Sequence, residues 1–144
     1  MKDKIFIDGD VILDLLLKRT HFFEAAAKLF TLIEKDKIAG YTSPLIIANI
    51  YYIITRLENK KSALEKIRLL RSLLEILELN EKIIDIAIAR PCNDFEDSIQ
   101  YHCAVEHGIT RLITRNIKDY PKEDIDILEP LDYLSIYNKR DISI

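Results

Sequence analysis

Short apolar runs alternate along this chain with longer segments whose apolar residues recur every three or four positions. The short runs are typical of buried strands and the longer segments of amphipathic helices. The predicted strands are Ile5–Ile7, an edge-like segment at Ile38–Ala39, Glu75–Leu79, Arg111–Thr114 and a weaker one at Asp126–Leu128. The predicted helices are Val11–Leu17, Phe22–Ile33, Leu45–Leu57, Ser62–Leu74, Ile83–Ala89 and Asp94–Gly108, with a last turn or helix from Pro130. This alternation indicates an α/β fold, a three-layer α/β/α sandwich whose mostly parallel, twisted sheet is covered by helices on both faces.

Length and composition are those of an ordinary globular domain. The chain has 144 residues, 49% of them apolar and 31% charged, with three glycines and four prolines. No repeat or linker-like stretch divides it, so we expect residues 1–144 to form a single domain. No segment approaches the roughly 18 apolar residues of a membrane span, and no secretion signal is recognisable, so we expect a cytoplasmic protein without membrane association. The two cysteines, Cys92 and Cys103, lack zinc-binding spacing and are expected to be free thiols.

The charge of the chain narrows the function classes. The formal net charge is −3 and the isoelectric point is near 5.6, which gives no overall attraction to nucleic acid. Binding to a phosphate backbone therefore needs a local basic patch or a bound metal ion. The sequence contains no glycine-rich phosphate loop and no serine or cysteine with a convincing His/Asp partner, which disfavours P-loop and triad chemistry.

Acidic and amide side chains cluster at the ends of three apolar segments. The clusters are Asp8 with Asp10, Asp94 with Asp97, and Asn116 with Asp119. Ligands of open parallel sheets bind beyond the carboxyl ends of the strands, where the first and third clusters would meet. Converging carboxylates repel one another unless a cation neutralises them, and ligation by oxygen alone suits Mg²⁺ or Mn²⁺. The pattern therefore indicates one or two of these ions and a phosphate chemistry.

Helix capping is the alternative explanation for two of these clusters. Asp10 has the position expected for the N-cap of the following helix. Asp94 and Asp97 resemble a capping box, with Asp94 or Asn93 as the N-cap. Capping and metal binding are compatible, because a helix N-terminus lowers the cost of keeping an acid ionised.

Other polar residues extend the candidate site. Asn49 is the only strongly polar side chain in the run from 45 to 54, a helix apolar enough to be buried on most sides. It is either a hydrogen-bonded core amide or a residue that faces the acidic crevice. Thr114 is placed to orient a metal-bound water, and Arg115 and Lys118 to contact the phosphates of RNA.

The order of these motifs resembles that of the PIN-domain nucleases, most closely the bacterial and archaeal branch that includes the toxins of toxin–antitoxin pairs. The resemblance runs from Ile5 to about Tyr133. Its most specific parts are the motifs Asp94-Phe95-Glu96-Asp97 and Ile113-Thr114-Arg115-Asn116. It implies that Asp8, Asp97 and Asp119 are catalytic, metal-binding carboxylates, with Asp94 and Asn116 close by and Asp94 a further candidate metal ligand.

The chain departs from the family pattern at two positions. Many members have Glu where this chain has Asn49, and Asn where it has Asp10. Asp10 is therefore a further candidate metal ligand, because its negative charge compensates for the one that is lost where Asn49 stands in place of Glu. The same exchange is also compatible with weaker metal binding or with a degenerate copy that does not cut.

Three functions follow as hypotheses. The first is a metal-dependent endoribonuclease, with an antitoxin protein as a candidate partner. The second is a PIN-like module that binds RNA or protein without cleaving. The third is a phosphatase of the haloacid dehalogenase type with Asp8 as nucleophile, because Asp8-Gly9-Asp10 loosely resembles its Asp-x-Asp start. The aliphatic surface of the helices 50–54 and 62–74, together with the resemblance, also predicts a homodimer.

Overall fold

Five parallel strands form the centre of the molecule. The computed structural model describes residues 2–142. The strands are β1 (Lys4–Ile7), β2 (Ala39–Thr42), β3 (Leu74–Ile76), β4 (Arg111–Ile113) and β5 (Asp126–Leu128). They lie in the order β3-β2-β1-β4-β5, and every neighbouring pair is parallel. The predicted α/β fold class is confirmed.

Seven helices cover this sheet. They are α1 (Gly9–Leu16), α2 (Phe23–Glu34), α3 (Pro44–Leu57), α4 (Lys60–Leu73), α5 (Glu81–Ala89), α6 (Phe95–Glu106) and α7 (Pro130–Ile142), with a short 3₁₀ helix at Ile117–Asp119. Helices α5 and α6 pack on each other, while α1 packs on α2 and α3, α4 on α3, and α7 on α2. Within residues 2–142 no helix is long and apolar enough to cross a membrane.

The two strands predicted to carry the site are neighbours in the middle of the sheet. β1 pairs with β2 on one side and with β4 on the other. Ile5, Phe6 and Ile7 are completely buried, as expected for a central strand covered on both faces. Ile7 lies opposite Ile113, so the residues that follow them leave the same edge of the sheet side by side. This register brings the first and third acidic clusters together.

Two local expectations were wrong. The segment at Ile38–Ala39 was expected at an edge, but β2 is an inner strand between β1 and β3. Helix α3 was expected to be buried on most sides, but only the stripe of Ile46, Ile50 and Ile54 is fully buried. Its opposite face is open to solvent, because α3 contacts neighbours along one side only.

Candidate functional site

The end of β1 turns directly into α1, and this turn places Asp8 at the edge of the sheet. Asp8 is the N-cap of α1, since its Oδ1 accepts a hydrogen bond of 2.7 Å from the backbone N–H of Gly9. The helix therefore starts two residues earlier than predicted. The expected capping role of Asp10 is wrong, because Asp10 lies inside the first turn of the helix.

Thr114 links the ends of the two central strands. Its hydroxyl lies 3.0 Å from Asp8 Oδ2 and 3.3 Å from Asp10 Oδ2. A threonine hydroxyl carries a single proton, so it donates to one of the two carboxylates at a time. Thr114 is itself completely buried, which fixes the hydroxyl in this position.

Asp10 is held by more donors than any other carboxylate of the site. Its Oδ1 accepts from the backbone N–H of Val11 at 2.7 Å. Its Oδ2 accepts from the backbone N–H of Arg115 at 2.9 Å and from Nδ2 of Asn116 at 3.2 Å, in addition to Thr114. These bonds occupy most of its acceptor positions. Asp10 thus fastens the loop after β4 to the start of α1.

The second cluster approaches from helix α6. Asp94 is the N-cap of this helix and accepts a hydrogen bond of 3.2 Å from the backbone N–H of Asp97, so the capping prediction is confirmed for Asp94. Asp94 is exposed, whereas Asp97 is half-buried. Both roles expected for this cluster are therefore present: Asp94 caps α6, and the side chain of Asp97 faces the end of β1.

Tyr120 joins Asp8 and Asp97. The phenol oxygen of this buried residue lies 2.8 Å from Asp8 Oδ2 and 3.3 Å from Asp97 Oδ1. Burial, followed by the charge of Asp8, raises the pKa of Tyr120 far above its usual range, so the phenol keeps its proton. Sequence reasoning missed this residue. In the sequence, only its position directly after Asp119 pointed to the site.

Asp119 and Lys118 lie on the 3₁₀ helix beside the site. Asp119 is half-buried, and no donor among residues 2–142 hydrogen-bonds its carboxylate. It is close enough to Asp97 for its charge to contribute to the raised pKa of that residue. Lys118 is exposed.

No basic side chain in the described part of the chain forms an ion pair with Asp8, Asp10, Asp97 or Asp119, so negative charge accumulates in this site. Burial, followed by the charge of Asp8, raises the pKa of Asp10 to about 6. Burial and the charges of Asp8 and Asp94 raise the pKa of Asp97 to about 6. Both carboxyls have an ordinary value of 3.8. Burial is thus the larger cause of both shifts, and repulsion between neighbouring carboxylates adds to it.

Arg115, in the loop after β4, forms an ion pair with Asp14 of α1. Its Nε and Nη2 donate to Asp14 at 2.6 and 3.1 Å, and its guanidinium lies 3.9 Å from the ring centre of Phe22. Asp14 is only 1% exposed, and Arg19 approaches it at 3.7 Å. The guanidinium predicted to touch RNA is thus engaged inside the protein. Asp14 had no signal in the sequence beyond its place on a predicted helix.

Asn49 faces the acidic crevice and is not a core amide. Its Nδ2 donates a hydrogen bond of 3.1 Å to Oε2 of Glu96. Both side chains line a cavity of about 220 Å³ together with Asp8, Asp10 and Asp97. Of the two alternatives for Asn49, the structure thus favours the one in which it belongs to the site.

The donor set fits a hard divalent cation. Among the side chains of residues 2–140, no three Asp, Glu, His or Cys groups already converge as a cage for a metal ion, and the hydroxyls of Thr114 and Tyr120 lie between the carboxylates. Mg²⁺ needs no such cage, because it keeps several waters and binds through one or two carboxylates. Oxygen ligands with surplus negative charge are what such an ion requires. Asp8, Asp97 and Asp119 retain acceptor positions for this purpose.

A five-stranded parallel sheet with acids at the carboxyl edge defines the fold class, and comparison with known proteins defines the family. Residues 4–118 match the model of the PIN domain family. The chain belongs to this family. The resemblance drawn from the motifs is confirmed.

Known relatives resemble the chain over most of its length. It is 28% identical to Ribonuclease VapC1 of Aquifex aeolicus, over 94% of this chain and 96% of that protein. A DNA-bound VapBC structure from Salmonella typhimurium has a TM-score of 0.68 at 16% identity, covering 89% of this chain and 98% of that one. A toxin–antitoxin complex from Klebsiella pneumoniae has a TM-score of 0.67 at 19% identity, covering 88% and 97%. These two structural matches establish the common fold.

The ion pair between Asp14 and Arg115 gives a prediction about stability. The variant Asp14→Asn leaves the guanidinium without its counter-charge, so we expect the free energy of unfolding to fall by about 3 kcal/mol in urea denaturation. The control Asp36→Asn removes an ion pair with Lys2 in which the aspartate side chain is 81% exposed. It should change stability by less than about 0.5 kcal/mol. Equal effects of the two variants would contradict the bracing role of Asp14.

The raised pKa of Asp97 predicts a pH-dependent gain from removing its charge. Between pH 3.8 and 6 the folded state binds more protons at Asp97 than the unfolded state, so this residue lowers stability as pH rises. In EDTA at pH 7.5, Asp97→Asn should stabilise the protein by about 1 kcal/mol, a value reduced for solvent screening of a half-buried group. The gain should disappear near pH 4.

Urea denaturation at pH 4, 6 and 7.5 measures this effect. The control Asp85→Asn, at an exposed position of α5, should change stability by less than about 0.5 kcal/mol at each pH. A loss of stability in Asp97→Asn at every pH would mean that its place in the first turn of α6 outweighs the repulsion.

Proposed function

We propose that this protein is a metal-dependent endoribonuclease that hydrolyses RNA phosphodiesters with Mg²⁺ or Mn²⁺. The observation that carries the proposal is the convergence of Asp8 and Asp97 on one phenol oxygen at the carboxyl edge of the sheet. The similarity to Ribonuclease VapC1 supports RNA as the substrate. Because the chain belongs to the PIN domain family, we no longer propose the phosphatase function.

The hydrogen bonds suggest a division of roles among the acids. Asp8, Asp97 and Asp119 keep free acceptor positions and are proposed as the catalytic ligands of one or two ions. Asp10 was also a candidate ligand, but its bonds to the loop after β4 favour a positioning role. Thr114 and Asn116 support Asp10 from that loop. Asp94 acts by capping α6 and adds negative charge at the rim.

Asp8, Asp97 and Asp119 would hold such an ion, which would supply activation of a water for in-line attack on phosphorus and stabilisation of the developing charge. The protein's own residues then have to hold the phosphodiester in place. Lys118 is exposed beside Asp119 and is the proposed phosphate contact. Arg115 is engaged by Asp14 and is proposed to shape the loop, with no direct contact to RNA.

We also propose that the protein works in the cytoplasm as the toxin of a toxin–antitoxin pair. The VapBC and toxin–antitoxin structures that share its fold support an antitoxin partner. The free thiols of Cys92 and Cys103 are compatible with a reducing compartment. An antitoxin-like reading frame directly upstream of the gene would add support, and its absence would favour a ribonuclease that acts alone.

Cleavage of RNA is the central prediction. Purified protein should cleave single-stranded RNA with Mn²⁺ or Mg²⁺, and EDTA should stop the reaction. Asp8→Asn should lower the cleavage rate at least about 100-fold, because it removes a ligand and a charge. The exposed control Asp85→Asn should leave the rate unchanged. RNA that is bound with unchanged affinity but never cut, across metals and substrates, would instead indicate a binding module.

A homodimer is proposed from the apolar face of α3 and α4. Tyr52 and Leu57 on α3 are 59% and 64% exposed, and Leu64 and Leu69 on α4 are also exposed. Light scattering at tens of micromolar should give twice the chain mass of 16.8 kDa. Leu57→Glu should shift the mass to that of one chain, because it places a charge in the contact. Ile88→Glu, at an equally exposed site on α5, should stay dimeric; a wild-type monomer would contradict the proposal.

A further inference from the structure

Glu96 stands in the wall of the acidic cavity without an evident structural task. It is the second residue of α6, and its side chain is exposed. The helix is already capped by Asp94, and no basic side chain of residues 2–142 forms an ion pair with Glu96. Favourable placement near the helix N-terminus does not need a particular direction of the side chain. A glutamate that only served the helix would be equally stable pointing into solvent.

A contact across the cavity gives Glu96 a direction. Nδ2 of Asn49 donates to its Oε2 at 3.1 Å, which joins the first turn of α6 to the middle of α3. Both residues line the same cavity as Asp8 and Asp97. The donor is neutral, so the hydrogen bond orients the carboxylate without cancelling its charge. Such a partner is what holds a ligand of a hard cation in place while leaving it able to bind.

Glu96 and Asp10 differ in how many of their hydrogen-bond acceptor positions are free. Most acceptor positions of Asp10 are filled by hydrogen bonds from α1 and from the loop after β4. Glu96 accepts one hydrogen bond, on one of its two oxygens. Its Oε1 is therefore available to a cation or to a water bound to one. Glu96 also directly precedes Asp97 in the chain, so both carboxylates belong to the same first turn of α6.

We propose that Glu96 is an additional carboxylate of the metal site and that Asn49 is the positioning residue that holds it over the cavity. This inference rests on the proposed metal-dependent function. It explains why Asn49 belongs to an active site: Asn49 on α3 supplies the hydrogen-bond donor, and Glu96 on α6 supplies the negative charge. The carboxylate thus enters the cavity from α6 and not from α3.

Titration of the full chain with Mn²⁺ by isothermal titration calorimetry tests this assignment. Glu96→Gln has the same shape and keeps an acceptor for Asn49 but loses the charge. We expect its Kd for Mn²⁺ to rise on the order of ten-fold. The matched control is Glu81→Gln, an exposed glutamate in the first turn of α5, which should bind Mn²⁺ within about two-fold of wild type.

A double-mutant cycle tests the positioning role of Asn49. Asn49→Ala should also weaken Mn²⁺ binding, on the order of ten-fold, because Glu96 loses its orienting donor. In the Glu96→Gln background the same change should add little, since Asn49 acts through the carboxylate. Independent, multiplying effects would overturn the positioning role. Melting curves in EDTA monitor folding of each variant, and the Mn²⁺-induced rise in Tm gives a second measure of binding.

Moving the carboxylate from one helix to the other gives the sharpest outcome. The variant Asn49→Glu with Glu96→Gln places the charge on α3 and the amide on α6, and should recover most of the Mn²⁺ affinity lost in Glu96→Gln. A purely structural contact predicts no recovery. Wild-type affinity in Glu96→Gln, together with weak binding in Asp8→Asn, would overturn this inference alone. Absence of Mn²⁺ binding by wild type would overturn the metal-dependent function itself.

Discussion

The parallel pairing of β1 with β4 is the constraint on which the whole site depends. Ile7 lies opposite Ile113, so Asp8 and Thr114, 106 positions apart in the chain, leave the sheet as neighbours. A slip of one residue would turn the side chains of one strand to the opposite face. The register is secured by strands whose apolar residues are completely buried. The packing of the core thereby sets the distances between polar groups at its edge.

Neutral donors, and not basic side chains, hold the acids of this site in place. The hydroxyls of Thr114 and Tyr120 and the backbone N–H groups of Gly9 and Arg115 point at carboxylate oxygens. A basic partner would cancel the charge, whereas these donors orient it and leave it available to a cation. The guanidinium of Arg115 pairs with Asp14 instead. Its charge still lowers the pKa of Asp10, but burial and the charge of Asp8 raise that pKa by more.

Capping and chemistry use the same residues at both helices that enter the site. Asp8 caps α1 while one of its oxygens faces Thr114 and Tyr120, and Asp94 caps α6 next to Asp97. A helix N-terminus favours an ionised acid and so offsets part of the repulsion between the carboxylates. The raised pKa values of Asp10 and Asp97 reflect their burial first and then the repulsion that remains. This balance leaves a site that is acidic yet compatible with a stable fold.

The sequence alone determined the α/β class, the two central strands and the three acidic clusters, because strand periodicity and polar residues at strand ends are local patterns. It also limited the cap of α6 to Asp94 or Asn93, and the structure decided for Asp94. It did not predict that β2 lies inside the sheet, that Asp8 rather than Asp10 caps α1, or that one side of α3 is open. Tertiary structure alone decided the contacts of Tyr120 with Asp8 and Asp97, the pairing of Asp14 with Arg115, and that of Asn49 with Glu96. Each of these joins side chains that lie far apart in the chain, and such a contact leaves no local pattern, since it depends on which elements pack together.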